Sequence, residues 1–268
     1  MEKSNSCCKK HLVLVHGACH GAWAWYKVKP LLEAAGHGVT VLDMAASGIH
    51  PKKIHDLQTI HDYSEPLIQL IASLPDDQKV ILVGHSLGGI NLALVMEMFP
   101  HKIEIAIFVT AFLPDTQHTP SFIFDQFVTR LAGGGESYWL DTKFEGSGDP
   151  KETLTTMLFG PQFLSKRLYQ FSPPEDFELA MTLKKTSSLF LHDLWKSEAK
   201  LTKERYGSVR TVYVICDQDQ GILVNFQRWM IQNHGVKEVK ELKGSDHMPM
   251  FCMPKKLCDC LMEIIAQK

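Results

Sequence analysis

The chain has 268 residues, of which 45% are hydrophobic and 22% are charged, and its formal net charge is −2. This composition is typical of a globular protein, and the near-neutral charge provides no basic field for nucleic acid or an anionic membrane. No apolar run approaches the ~18 residues that span a bilayer, and no internal repeat is found. The length fits one large α/β unit or two small domains.

Short apolar runs alternate with helical patterns through the first part of the chain. Strands are predicted at residues 11–15, 39–42, 80–83 and 103–112. Helices are predicted at residues 25–35, around 63–71 and at 88–98. Gly36 is the predicted C-cap of the first helix and Ser64 the predicted N-cap of the second. Because the strands are apolar throughout, we expect a parallel sheet that helices cover on both faces.

The alternation breaks at about residue 115 and resumes after residue 195. The intervening segment is rich in Gly, Pro and aromatic residues, and its Gly133-Gly134-Gly135 run is interpreted as a flexible loop. Beyond it the pattern predicts strands at 211–216 and 239–242, with helices at 226–234 and from Pro254 onward. We therefore expect one α/β core, residues 11–114 and 196–268, interrupted by an insertion at 115–195 and preceded by a disordered tail at 1–10.

Seven cysteines are present, and the polar N-terminus has no apolar signal segment. The odd count favours free thiols in a reducing compartment, so a cytoplasmic protein is expected. Cys7-Cys8 is interpreted as part of a frayed tail, with palmitoylation as the alternative. Cys258 and Cys260 have no matching pair at zinc spacing. We find no phosphate loop or dinucleotide fingerprint either, so neither a cofactor nor a metal is predicted.

The run Gly84-His85-Ser86-Leu87-Gly88 directly follows the third predicted strand and directly precedes a helix. In this context the pattern is typical of a nucleophile elbow, a tight turn that lifts a serine hydroxyl from the sheet edge. Glycine is needed at both ends, since a Cβ there would clash with the neighbouring strand or helix. An N-cap serine, the alternative, does not explain both glycines. Ser86 is therefore the predicted nucleophile.

A serine hydroxyl attacks only when a base takes its proton, and histidine is the usual base near neutral pH. On this architecture the base follows the last strand, and of thirteen histidines His247 has that position. The acid that orients the histidine should follow the preceding strand, where Asp217 and Asp219 both lie. The residues alone leave these two aspartates as alternatives.

An oxyanion hole requires two hydrogen-bond donors near the nucleophile. The Leu87 N–H is the first predicted donor, because the elbow points it into the same space as the serine hydroxyl. The second is the Ala18 N–H, in the turn after the first strand, His16-Gly17-Ala18. The sequence therefore predicts a complete acyl-transfer site.

Seven stretches, in order over residues 11–266, resemble the plant methylesterase group of α/β-hydrolases, which also contains hydroxynitrile lyases. They are HGACHGAW (16–23), KPLLEAAGH (29–37), AASGI (45–49), VGHSLGG (83–89), AFLPD (111–115), RYGSV (205–209) and DHMPM (246–250). The resemblance implies an α/β-hydrolase fold, with a mostly parallel sheet flanked by helices and an inserted cap that roofs an apolar pocket. It allows a homodimer.

The resemblance also implies which aspartate acts. The family places its acid seven residues before the Phe of a Phe-Gln-x-Trp stretch, here Phe226, and this position is Asp219. The chain departs from the family at Leu223, where a proline is usual, and this change is expected to loosen the loop. The triad implied by the resemblance is Ser86, Asp219 and His247.

Three positions distinguish the esterases of this group from its lyases and from a related decarboxylating branch. Lyases carry Thr at the position of Gly17 and Lys at that of Met248, and a decarboxylating branch carries Ala at the position of Ser86. The residues present here favour a serine carboxylesterase acting on a small methyl ester, such as methyl salicylate, methyl jasmonate, methyl indole-3-acetate or an alkaloid methyl ester. The alternatives are a hydroxynitrile lyase and a slow or non-catalytic hormone receptor.

The expected partner of this chain is a small-molecule ester, with no nucleic acid and no membrane. By resemblance, side chains of the elbow, the first loop and the cap surround the substrate. The candidate contacts are Gly17, His85, Phe112, Trp139, Met157, Phe159 and Met248.

Overall fold

The structure, a computed structural model, describes residues 9–131, 135–146, 154–196 and 200–267. Most of the predicted N-terminal tail, with Cys7 and Cys8, lies outside these ranges, as do Gly133 and Gly134 of the predicted glycine loop. Lys10, at the end of the predicted tail, lies within them, and its ammonium group contacts the Glu104 carboxylate at 2.6 Å.

The core is built on parallel strands. Within the described residues these are β1 (His11–Val15), β2 (Gly38–Leu42), β3 (Val80–His85), β4 (Ile103–Val109), β8 (Thr211–Cys216) and β9 (Glu238–Leu242). They form one sheet with the order β2-β1-β3-β4-β8-β9, and every pairing in it is parallel. The inner strands are rich in Val, Ile and Leu and are buried, as expected for a sheet covered on both faces. The predicted α/β fold is confirmed.

Helices pack against this sheet. In the core they are α1 (Val28–Ala34), α2 (Ile60–Ser73), α3 (Gly88–Met98), α9 (Val224–His234), α10 (Pro249–Cys252) and α11 (Pro254–Ala266). Helix α1 packs against α11, and α2 packs against α3. No helix in the described ranges combines the length and the apolar character needed to cross a bilayer.

Several predicted element boundaries are wrong by a few residues; α1, for example, begins at Val28 and not at residue 25. Two of them have a clear local cause. Helix α2 begins one turn earlier than expected, because Thr59 and Asp62 form a capping box: Thr59 Oγ1 accepts the Asp62 N–H at 3.0 Å, and Asp62 accepts the Thr59 N–H. Ser64 is therefore not the N-cap but lies buried inside the helix, where it accepts a hydrogen bond from Asn91. Strand β4 ends at Val109, since the next residue adopts a positive φ.

Residues 115–195, the predicted insertion, contain short elements. They are α4 (Phe122–Arg130), α5 (Gly135–Trp139), β5 (Lys143–Gly146), β6 (Thr155–Leu158), α6 (Pro161–Phe163), which continues as a π-helix over Leu164–Leu168, α7 (Pro174–Leu183), β7 (Ser187–Ser188) and α8 (Leu191–Leu194). Strands β5, β6 and β7 pair antiparallel. The Lys185 N–H donates to the Cys19 carbonyl, and the Phe171 N–H donates to Asp246. The segment thus lies over the loops that follow β1 and β9.

Candidate active site

Ser86 occupies a sharp turn between β3 and α3. Its φ is +55°, a value that non-glycine residues seldom adopt and that marks strained functional turns. A Cβ at Gly88 would lie 2.9 Å from the His16 and Val15 carbonyl oxygens, and one at Gly84 would lie 2.9 Å from Leu92. The helix can therefore approach the sheet this closely only with glycine at both positions. The turn has the geometry expected of a nucleophile elbow.

Asp219 and His247 lie together at the carboxyl ends of β8 and β9. His247 Nδ1 is 2.7 Å from Asp219 Oδ2, and both side chains are buried. Because a carboxylate only accepts hydrogen bonds, Nδ1 carries the proton and Nε2 has a free lone pair. Asp217, the other candidate acid, is half-buried and instead accepts the Gly244 N–H at 2.6 Å. The structure brings Asp219, not Asp217, to the histidine.

Several donors hold the Asp219 carboxylate. Its Oδ1 accepts the N–H groups of Gly221 at 2.6 Å and Ile222 at 2.8 Å. Its Oδ2 accepts the Thr110 hydroxyl and, at 3.4 Å, the Gln227 amide. Sequence reasoning missed Thr110 and Gln227. The Phe-Gln-x-Trp stretch was a signal for Gln227, which also bridges Cys216 and Ile222 and so ties the loop between them to α9.

The turn after β1 carries the second predicted oxyanion donor. The Met44 N–H donates to His16 Nε2 at 3.1 Å, so Nδ1 bears the proton and donates to the Gly17 carbonyl at 2.8 Å. In a trans peptide the carbonyl and the following N–H point in opposite directions, so this bond orients the Ala18 N–H away from His16. Ala18 and Leu87 both line the cavity that contains Ser86. Sequence reasoning missed the contribution of His16.

Three further histidines of the site, His16, His20 and His85, are buried and uncharged. Burial lowers the pKa of His16, lowers that of His20 to about 4, and lowers that of His85 well below its usual range. His20 Nδ1 donates to the Ala18 carbonyl at 2.8 Å, while its Nε2 accepts from the Tyr169 hydroxyl at 2.6 Å. None of the three therefore places a competing positive charge beside His247.

A largely apolar cavity opens above Ser86. Besides Ala18, Ser86, Leu87 and His247, its lining consists of Phe112, Phe127, Tyr138, Trp139, Met157, Phe159, Phe163, Leu168, Leu189, Gly221 and Ile222. No Lys, Arg, Asp or Glu is among these residues. The Tyr138 hydroxyl donates to the Gly221 carbonyl, and burial raises its pKa, so it remains neutral. The cavity therefore suits an uncharged, largely apolar molecule.

Four of the predicted substrate contacts line this cavity: Phe112, Trp139, Met157 and Phe159. The structure places the other three outside its lining. Gly17 lies directly against the Ser86 side chain. His85 turns away from the cavity because its Nε2–H donates to the His247 carbonyl at 2.8 Å. Met248 is fully buried. Sequence reasoning missed Phe127, Tyr138 and Phe163, for which the aromatic richness of the insertion was the available signal.

Within the described ranges, no three His, Cys, Asp or Glu side chains converge as a metal site. The site consists of a strained serine turn, a histidine–carboxylate pair, two backbone N–H groups and an apolar cavity. Together these features define the class of α/β-hydrolases.

Comparison with known proteins leads to the same class. The sequence model of the Alpha/beta hydrolase family matches residues 12–259, so the chain belongs to this family. It is similar to Salicylic acid-binding protein 2 of Nicotiana tabacum, with 56% identity over 95% of this chain and 96% of that one. It is 51% identical to Methylesterase 1 of Arabidopsis thaliana, over 96% of each chain.

A solved structure gives the same result. The crystal structure of polyneuridine aldehyde esterase superposes with a TM-score of 0.92 at 44% identity, covering 96% of this chain and 99% of that one. The curated polyneuridine aldehyde esterase is from Rauvolfia serpentina and is also 44% identical. The predicted membership of the plant methylesterase group is confirmed, and the chain is a carboxylic ester hydrolase.

Proposed function

We propose that this protein hydrolyses a small methyl ester through a triad of Ser86, His247 and Asp219. The observation that carries the proposal is the buried His247–Asp219 pair, joined at 2.7 Å, beside a cavity that His247 and Ser86 both line. This pair leaves the His247 Nε2 lone pair free to take a proton, which is the requirement for activating a serine hydroxyl.

The reaction proceeds in two similar halves. His247 Nε2 takes the Ser86 proton while Ser86 Oγ attacks the ester carbonyl, and the N–H groups of Ala18 and Leu87 hold the resulting oxyanion. His247 then protonates the departing methoxide, so methanol leaves and an acyl-enzyme remains. Water, deprotonated by the same nitrogen, releases the acid and restores Ser86. Asp219 stabilises the imidazolium that forms in each half.

The cavity supports a neutral ester with a flat or cyclic acyl group. Its lining is aromatic and aliphatic, with no fixed charge. Methyl salicylate, methyl jasmonate, methyl indole-3-acetate and an alkaloid methyl ester all have this character. A free carboxylate meets no cation there, so we expect the acid product to bind more weakly than the ester.

We also propose a cytoplasmic location for the protein. The cysteines among the described residues are all free thiols, which supports a reducing compartment. A homodimer stays a prediction based on the resemblance.

Turnover of a panel of methyl esters tests the proposed function. We expect at least one ester to give many turnovers per active site, with methanol and free acid released in equal amounts. Cyanide release from mandelonitrile without ester hydrolysis would instead establish a lyase. Thermal stabilisation by a free acid, with at most one ester cleaved per molecule, would establish a receptor.

A methyl group at Gly17 is expected to damage this reaction. In Gly17→Ala, the new Cβ would lie 2.8 Å from Ser86 Cβ, so either the elbow or the oxyanion turn must shift. Displacements of this kind commonly cost up to ~10²-fold in rate, so we expect kcat/KM to fall by about 10- to 100-fold. The measurement is steady-state hydrolysis of the best methyl ester.

Gly38→Ala is the matched control for this prediction. Gly38 lies in β2, and a Cβ there would have its nearest neighbour at 3.7 Å, an ordinary contact. We expect this variant to keep the wild-type kcat/KM. If Gly17→Ala were as active as Gly38→Ala, the proposed position of the oxyanion turn would be wrong.

A further inference from the structure

Thr110 combines two unusual features immediately after β4. Its φ is +37°, in the left-handed region, which is rare for a β-branched residue. Its side chain is also fully buried. A glycine would adopt this backbone conformation without strain, so a threonine here requires a reason in its side chain.

The Thr110 hydroxyl supplies that reason. It donates to Asp219 Oδ2, the same oxygen that accepts the His247 Nδ1–H. The Thr110 N–H donates to the Val214 carbonyl on β8 at 2.9 Å, which fixes the turn beside the strand that leads to Asp219. Backbone and side chain thus both tie this residue to the acid.

The other contacts of Asp219 show what the hydroxyl controls. Oδ1 is held by the Gly221 and Ile222 N–H groups, so the carboxylate is anchored at that end. At the Oδ2 end, apart from His247 itself, the remaining donor is Gln227, at a long 3.4 Å. The direction in which Oδ2 faces the histidine therefore depends on Thr110.

The same turn also reaches the nucleophile. Two residues after Thr110, the Phe112 N–H donates to the Ser86 carbonyl at 3.0 Å, and the Phe112 ring lines the cavity. Between them, the Ala111 carbonyl accepts the hydroxyl of buried Tyr213 on β8 at 3.0 Å. Residues 110–112 therefore link the acid, the serine elbow and the substrate cavity through one short, anchored segment.

We infer that Thr110 is a positioning residue for the reaction: its hydroxyl aligns Asp219 Oδ2 with His247, and the strained turn exists to deliver it. This inference rests on the proposed function. It assigns Thr110 no contact with the substrate, so its loss acts on kcat through Asp219 and leaves KM unchanged.

Three substitutions separate positioning from simple support of the fold. Thr110→Val keeps the shape and removes the hydroxyl, so we expect kcat to fall about tenfold at unchanged KM, the effect of losing one hydrogen bond to a charged group. Thr110→Ser keeps the hydroxyl and is expected to restore most of kcat. Thr110→Gly removes the hydroxyl and also relieves the strained backbone. We therefore expect it to fold and to lose as much kcat as Thr110→Val, which keeps the test valid even if Thr110→Val does not fold.

The fold is monitored by thermal melting beside a matched control. In β2, Thr40 Oγ1 and His11 Nε2 share a hydrogen bond of 2.8 Å near the opposite end of the sheet. Thr40→Val removes a comparable hydroxyl there, and we expect it to lower Tm without changing kcat. A Thr110→Val variant that lost stability but kept its kcat would overturn the inference.

A double-mutant cycle with Asp219→Asn provides the decisive comparison. If Thr110 acts through Asp219, then adding Thr110→Val to Asp219→Asn lowers kcat no further. A second full tenfold loss would overturn the inference. The low-field NMR signal of the His247 Nδ1–H is expected to move upfield in Thr110→Val, because Oδ2 is then less well aligned with the histidine and the hydrogen bond weakens; an unmoved or downfield-shifted signal would also overturn the inference.

Failure of the proposed function is distinguishable from failure of this inference. If wild-type protein hydrolyses no methyl ester, or if Asp219→Asn keeps full activity, the proposed triad is wrong. If the wild type is active and Asp219→Asn is not, while Thr110→Val and Thr110→Gly keep their kcat, only the role of Thr110 is wrong.

Discussion

Ser86→Ala is expected to lower kcat for the best methyl ester by ~10⁴-fold or more, with little change in KM. The substitution removes the oxygen that forms the acyl-enzyme, while the cavity and the donors at Ala18 and Leu87 remain in place. Substrate would therefore still bind, and the residual rate would be that of water attack aided by the oxyanion hole. Steady-state hydrolysis of the ester, followed by release of the acid, is the measurement.

A covalent label gives this prediction a readout that is independent of the natural ester. A fluorophosphonate, which loses fluoride when a serine oxygen attacks its phosphorus, is expected to add once to the wild type and not to Ser86→Ala, as intact mass will show. Ser64→Ala is the matched control, since Ser64 is fully buried in α2 and bonded to Asn91. An unlabelled wild type, or a Ser86→Ala variant that turned over normally, would contradict the proposed mechanism.

The nucleophile elbow could be predicted from sequence because its causes are local. A strand, a five-residue turn and a helix are adjacent in the chain. The close approach of α3 to β1 restricts Gly88 to glycine, and its close approach to β3 restricts Gly84. The position of His247 after the last strand is likewise a consequence of topology, since parallel strands bring their carboxyl ends to one edge.

The choice between Asp217 and Asp219 could not be made from the residues alone. Both follow β8, and what separates them is two residues of loop geometry. The Gly221 and Ile222 N–H groups turn Asp219 inward, whereas Asp217 accepts the Gly244 N–H at the surface. Only the family pattern distinguished them before the contacts were known.

The cavity lining and the support of the triad depend on contacts between distant parts of the chain. The Thr110 hydroxyl meets a carboxylate 109 residues later. Neither periodicity nor a local motif reports such a contact, and a threonine at the end of an apolar strand predicts only more strand. The sequence shows that the insertion is rich in aromatic residues. It does not show which of them face Ser86, because this depends on how short elements such as α4 and α5 pack.

Asp219→Asn is expected to lower kcat by ~10⁴-fold, the effect seen when the acid of a serine triad becomes an amide. The surroundings determine how the amide must lie. Its oxygen has to face the two N–H donors of Gly221 and Ile222, so its NH₂ group takes the place of Oδ2. There it donates to His247 Nδ1, which forces the proton onto Nε2, and that nitrogen can no longer accept the Ser86 proton.

Asp217→Asn tests whether this loss is specific to one carboxylate. Asp217 is half-buried and lies two residues away, and an asparagine oxygen can still accept the Gly244 N–H that Asp217 accepts at 2.6 Å. We expect its kcat to stay within about twofold of wild type, because the substitution keeps this hydrogen bond and lies outside the core. Equal losses in the two variants would show that the reaction requires the total negative charge of the loop and not one particular carboxylate. A loss confined to Asp219→Asn, at unchanged KM, would show that one carboxylate oxygen sets the tautomer of His247.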